Sequence, residues 1–189
     1  MSKRKQHLVE TALRLFMAEG FHTVGIDRIL DESGVAKMTL YKHFPSKQAL
    51  ILEALALRDQ QFFQQLKQFA DAFPIQHGER IAAIFKWHQA WIASDTFRGC
   101  AFISAAVAFP AAQAMAHQFA ARHKVELEAY IRASLPADMP PATASHLMLL
   151  LEGAVVLGLI HGDCRHIGEA IRAAEGVLSV VAPSGLLVG

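Results

Sequence analysis

The apolar pattern of the first 47 residues is cut into short pieces, and this restricts the fold more than any other feature. Leu8, Ala12, Leu15 and Phe16 fall at helical spacing ahead of Gly20. Ile26, Ile29 and Leu30 make a second, shorter apolar face that stops at Gly34. Val35 and Leu40 anchor a third segment, Val35 to Tyr41. Apolar residues three and four apart share one side of a helix, and Gly just past the last of them is a natural stop. Three short helices with a tight Ser33-Gly34 turn between the second and third read as a helix-turn-helix. After Phe44-Pro45, Ser46 is placed to cap a fourth helix, because its hydroxyl accepts a bond from an otherwise orphan backbone N–H.

The remainder reads as longer helices. They are expected over residues 47–70, 79–93, 100–109, 111–133, 143–160 and 167–181, with a loop at 135–141 that holds three prolines. No period-two alternation marks a strand, so the expected class is all-α. The expected organisation is a helix-turn-helix domain over 1–47, a helical body over 48–183, and a frayed tail over 184–189. With 53% hydrophobic and 19% charged residues, the chain has far too much apolar surface for whole-chain disorder. Its two cysteines, Cys100 and Cys164, make no disulfide framework, which points to a reducing cytoplasmic location. The basic stretch Met1 to Lys5 precedes no apolar run with a cleavage site, so no signal peptide is expected. The uncharged stretch from Gly99 to Ala121 is long enough to span a bilayer. It carries Ser104, Pro110, Gln113, His117 and Gln118, and reads as buried helices rather than a membrane span.

Net charge is only +1, but it is unevenly spread. Residues 1–47 hold eight Lys/Arg against five Asp/Glu, and residues 48–189 hold ten against twelve. A basic head on a slightly acidic body is a weak footprint for a polyanion. The third helix sharpens it. A major groove admits one helix, and its edges distinguish all four base pairs. With Val35 and Leu40 facing inward, Ala36, Lys37, Met38, Thr39 and Tyr41 face outward. His43 and Lys47 are spaced to reach phosphates, and Lys47 opens a helix whose N-terminal N–H groups favour an anion.

The run Gly20-Phe21, Ile26 to Leu30 and Ser33 to Lys47 resembles the TetR family of bacterial transcription regulators. The family pattern near its end reads Gly-Val-Ser-Lys-Gly-Thr-Leu-Tyr-x-His-Phe-x-Ser-Lys. The resemblance implies that Lys37, Thr39, Tyr41, His43 and Lys47 contact double-stranded DNA, mainly its backbone, while the helix from Val35 reads bases. It also implies a ligand-binding, dimerising body and a repressor released from a palindromic operator. Two departures stand out. Ala36 replaces a common Ser and removes a hydroxyl, and Met38 replaces a common Gly. Met38 either packs on a thymine methyl or limits approach to the backbone. Gly25 takes the usual Thr/Ser capping place of the second helix.

In the body, Trp87 and Trp91 are four residues apart and share a helical face. Together with Phe102, Met115, Phe119 and Glu152 they form the expected ligand-binding set, since small-molecule sites are apolar with a few polar groups. An apolar or amphiphilic effector suits that lining. Glu152 is a lone carboxylate in an apolar helix, which is costly unless paired. It either lines the ligand site or meets Arg or His across a dimer seam. Homodimerisation is expected through residues 143–181, with Leu151, Val155, Leu159, Ile171 and Val177 at the seam. The long helix from Lys47 to Ala70 is the expected lever between head and body. His161, Asp163, Cys164 and His166 match no zinc spacing, so no metal is expected, and Cys100 reads as an inert buried thiol. No Gly-rich phosphate loop, nucleophile elbow or His-Glu-x-x-His motif occurs, so neither an enzyme nor a cofactor is expected.

Overall fold

The structure, a computed structural model, describes residues 3–181. Among the described residues it is all-helical: α1 (Lys3–Glu19), α2 (Ile26–Ser33), α3 (Lys37–His43), α4 (Lys47–Ala70), α5 (Glu79–Ile92), α6 (Ala101–Ala108), α7 (Met115–Ala133), α8 (Ala142–His161) and α9 (Arg165–Val181). A short 3-10 turn, Gln76–Gly78, precedes α5. The expected tail, 184–189, lies outside the described residues. Two compact units form. Among the described residues, one takes 3–63 with Cys100–His123, and the other takes Gln64–Gly99 with 124–181. The expected head, 1–47, lies within the first.

In the first unit, α1 packs against α2 and α3. Leu8, Ala12, Leu15 and Phe16 are all buried, as their spacing predicts. Phe16 stacks on Phe21 at 5.3 Å. The turn after α2 depends on Gly34. Its φ of 63° lies in the left-handed region, and its N–H donates to the Leu30 carbonyl at 2.9 Å. Gly reaches this conformation without the Cβ penalty other residues incur. Ser33 supports the same turn, its Oγ accepting from the Val35 N–H at 3.3 Å.

Several boundaries differ from those expected, each for a local reason. The third helix begins at Lys37, not Val35, because Ala36 is its extended N-cap (φ −63°, ψ 141°), and it runs on to His43. Helix α7 begins at Met115 rather than Ala111. Residues 111–114 form a separate turn closed by the Ala114 N–H on the Ala111 carbonyl. Helix α9 begins earlier, at Arg165, because Asp163 Oδ1 accepts from the Arg165 N–H at 2.9 Å. The cap on α4 is as expected, with Ser46 Oγ accepting from the Ala49 N–H at 3.1 Å. Gly25 caps α2 with no side-chain bond.

In the second unit, α5, α8 and α9 pack on one another, with α8 and α9 the closest pair. Ile81, Ile84 and Phe85 of α5 are buried, as are Leu147 and Leu151 of α8 and Ile167 and Ala174 of α9. By length and composition α8 is apolar enough to cross a membrane. Its buried side instead forms the core of this unit. Gly158 sets how closely α8 approaches α5: a Cβ there would lie 2.8 Å from Ile92 Cγ2 and 3.3 Å from the Asp163 carbonyl oxygen. Overpacking of this kind costs ~1–3 kcal/mol. Gly158→Ala is therefore expected to lower the urea midpoint. Ile92→Ala, destabilising alone, should recover part of that loss in the double variant, because contacting sites are not additive. Simple additivity would mean the contact does not limit packing.

Candidate nucleic-acid interface

Helix α3 spans only seven residues and is held by Leu40, which is fully buried, with Phe44 just beyond at 3% exposure. Those anchors turn the other side outward. Met38 is 86% exposed and Tyr41 47%. Lys37 and Lys42 are exposed, while Thr39, His43 and Lys47 are half-buried. The expected DNA-facing set thus lies together on α3 and the first residue of α4. Met38 gains almost nothing from the fold at such exposure, so its apolar surface is available to a partner.

Charge on the head is sorted by local pairing. Arg28 donates to Glu32 at 2.8 Å and to Glu19 at 3.2 Å, and Arg14 pairs with the same Glu32. Hydrogen bonding from Arg28, then from Arg14, holds the Glu32 carboxyl below its ordinary pKa. The matching bond to Glu32 raises Arg28. These α1–α2 cations are thereby compensated. Lys37 reaches Asp27 only at 3.5 Å, with both side chains well exposed, and such pairs are worth little. A phosphate competes easily for Lys37.

Lys47 is held differently. Its Nζ donates to the His22 carbonyl at 3.3 Å, and partial burial lowers its pKa. The His22 ring in turn donates from Nε2 to the Ala108 carbonyl at 2.6 Å and lies 5.0 Å from the Phe109 ring. Phe109 also meets Phe21 edge-on at 6.0 Å. Sequence reasoning missed His22 and Phe109. Their partners are 86 residues apart in one case, and no local spacing signals such a contact.

The expected ligand-binding residues are divided between the units. Trp87, Trp91 and Glu152 belong to the second, and Phe102, Met115 and Phe119 to the first. In the second, the indoles of Trp87 and Trp91 stack at 6.0 Å, and Phe97 meets Trp91 edge-on at 5.0 Å. Between them in sequence, His88 is 1% exposed and its Nδ1–H donates to the Ile84 carbonyl at 2.8 Å. Burial lowers its pKa to about 4, so it is neutral at pH 7. Glu152 accepts two bonds from Lys124 Nζ, both at 2.7 Å. Within its own unit the carboxylate is thus paired to a lysine. In the first unit, Phe102 stacks on His123 at 3.6 Å and on Phe119 at 6.2 Å. His123 Nδ1 lies 2.6 Å from Asp59 Oδ1. Met115 is 67% exposed.

The expected seam residues differ in exposure. Leu151 and Val155 are buried in the core of their own unit, at 0% and 3% exposure. Ile171 and Val177 are half-buried, and Leu159 is exposed. Helix α8 is apolar around its circumference, so its outward face is also apolar: Leu149, Val156, Leu157 and Ile160 are exposed. Near its end, the rings of His161 and His166 lie 4.9 Å apart. Among the described residues no three His, Cys, Asp or Glu gather as a metal site.

This head is a helix-turn-helix of the kind that transcription regulators present to DNA. Residues 8–54 match the family model for bacterial regulatory proteins of the tetR family. A crystal structure of SCO4454, a TetR-family transcriptional regulator from Streptomyces coelicolor, superposes with a TM-score of 0.87 at 31% identity, covering 94% of this chain and 95% of that one. The transcriptional regulator YerO of Bacillus subtilis is 41% identical over 54 residues, 29% of this chain and 19% of that protein. The Escherichia coli regulator YjdC is 21% identical over 178 residues, 93% of both. The matched stretch spans less than a quarter of the first curated relatives. The chain belongs to the TetR family: it is a DNA-binding transcriptional regulator, not an enzyme.

Two measurements follow. Lys47→Ala should weaken binding to all DNA sequences and reduce the slope of log K against log salt by about one, as for one lost phosphate contact. Unchanged affinity in both Lys47→Ala and Tyr41→Phe would remove these residues from the interface. The second concerns His88, whose folded pKa is depressed to about 4. The unfolded chain protonates first as pH falls through ~6.5, so stability is lost progressively from there down to about 4 and no further from this group. Urea titrations should show that loss, on the order of 3 kcal/mol, and it should shrink in His88→Gln.

Proposed function

We propose that the protein is a homodimeric repressor whose two α3 helices read a palindromic operator, and that a small apolar or amphiphilic effector releases it. Its expected location is the cytoplasm. The observation that carries this reading is the outward side of α3, where Met38 is 86% exposed beside the partly exposed Tyr41. The cations Lys37 and Lys47 flank it. A twofold protein matches a twofold operator, with half-sites about one helical turn apart.

The dimer reading rests on the outward apolar face of α8, where Leu149 is 71% and Ile160 68% exposed. Exposed apolar surface of that extent usually marks an interaction site. A second copy is the occupant the family implies. Effector binding draws support from the half-buried Trp87–Trp91 pair, with Phe97 against it.

Binding-site selection with purified protein should return a palindrome, and an operator-bearing promoter should be silenced in transcription in vitro. A non-palindromic motif, or activation, would overturn the reading. Sedimentation tests the dimer. Leu149→Asp with Val156→Asp should give a folded monomer, since these side chains leave the chain's own core intact. Leu151→Asp should unfold the chain instead, because it buries an unpaired charge. The folded monomer should lose on the order of a hundredfold in operator affinity, as avidity is lost. A wild type that sediments as a monomer at micromolar concentration would contradict the dimer.

A further inference from the structure

We propose that a cavity beside the head, between the start of α4 and the α6–α7 junction, binds a small single-ring aromatic molecule, and that its occupancy weakens DNA binding. The inference rests on the DNA-binding and ligand-response reading above and adds a site to it. The cavity lies wholly within the first unit and has a volume of about 190 Å³. Ile51 and Leu52 of α4 form one wall, and Phe109, Ala114 and Met115 form the other. Gln48 is the polar residue of its lining. An apolar cavity of about 150 Å³ is enough to take up benzene. A single ring therefore fits, and one hydroxyl on that ring would answer the Gln48 amide. Anything of drug size, which needs ~300 Å³ or more, does not.

What gives the cavity a consequence is Phe109. Phe109 lines the wall, and its ring meets Phe21 at 6.0 Å and His22 at 5.0 Å. Its backbone is held by His117, whose Nδ1–H donates to the Phe109 carbonyl at 3.0 Å. The preceding carbonyl, of Ala108, accepts from His22 Nε2, and the His22 carbonyl accepts from Lys47 Nζ. A ring bound against Phe109 thus sits three contacts from a cation assigned to a DNA phosphate. Any occupant that prefers one placement of Phe109 biases the placement of His22 and Lys47. By reciprocity, DNA binding weakens the occupant's affinity by the same factor that the occupant weakens DNA binding.

The test uses 4-fluorophenol as the probe and the full chain. Its ¹⁹F resonance should shift or broaden on adding wild-type protein, and operator affinity should fall at least fivefold at saturating probe, the lower end of ordinary coupling. Ala114→Phe fills the cavity from its rim. It should abolish both effects, because the filled cavity no longer admits the probe. Gln48→Leu is a gentler second variant and should erase any preference for 4-fluorophenol over fluorobenzene. An unperturbed resonance with wild-type protein, or a perturbation that survives Ala114→Phe, overturns the site. Binding that leaves operator affinity unchanged overturns the coupling. The resonance arm needs no DNA, so failure of the cavity is read separately from failure of the operator reading.

Discussion

Everything the head does depends on the burial of one side chain, Leu40. Helix α3 is two turns long, and isolated helices below ~12 residues are marginal in water. Its capping residue, Ala36, gives no side-chain bond to its N-terminus. What keeps α3 helical is tertiary: Leu40, with no exposed surface, sits in the core with Ile29 and Phe16, and Phe44 closes the segment at 3% exposure. A helix fixed through one inward position is free to devote the rest of its surface to a partner. This explains how an 86% exposed methionine coexists with an ordered backbone.

The same economy governs charge. A net of +3 over residues 1–47 is too small to steer a protein to DNA by bulk attraction. Pairing concentrates it. Arg14 and Arg28 share Glu32, which compensates them on α1 and α2. The poorly paired Lys37 and the tethered Lys47 lie on α3 and at the start of α4. Exposed pairs such as Lys37–Asp27 orient a side chain at almost no cost to a competing phosphate. Lys47, aligned by the His22 carbonyl, loses less freedom on contact than an unrestrained lysine.

Much of the head was legible because its signals are local. Gly34 in a left-handed turn, Ser46 as a cap and Leu40 facing inward each follow from residues within a few positions. The start of α3 was not, since nothing in Val35-Ala36 forbids helix, and the extended Ala36 is set by the turn as a whole. The inward and outward sides of α8 were not separable in the sequence, for a physical reason. A helix that is apolar all round carries no amphipathic stripe, so sequence alone does not separate Leu151, which faces the core, from Leu149, which faces outward. Long-range partners were equally hidden. Lys124 lies 28 residues from Glu152 and Asp59 lies 64 from His123, separations at which periodicity carries no information.

Those hidden pairings also bear on what the second unit is suited to receive. A carboxylate read in isolation suggests a polar or cationic ligand. Glu152 is instead bonded through both oxygens to Lys124, so the two charges cancel locally. His88, beside Trp87 at 4.9 Å and Trp91 at 6.0 Å, is kept neutral at pH 7 by its burial. Glu152 is therefore compensated and His88 neutral. A ligand bearing an uncompensated charge would give up its hydration there without gaining a free counter-charge from these groups, a cost of several kcal/mol for a buried ion. An apolar molecule has no such cost and gains from the indole faces. The electrostatics of these groups thus favour the proposed apolar or amphiphilic effector over a charged one.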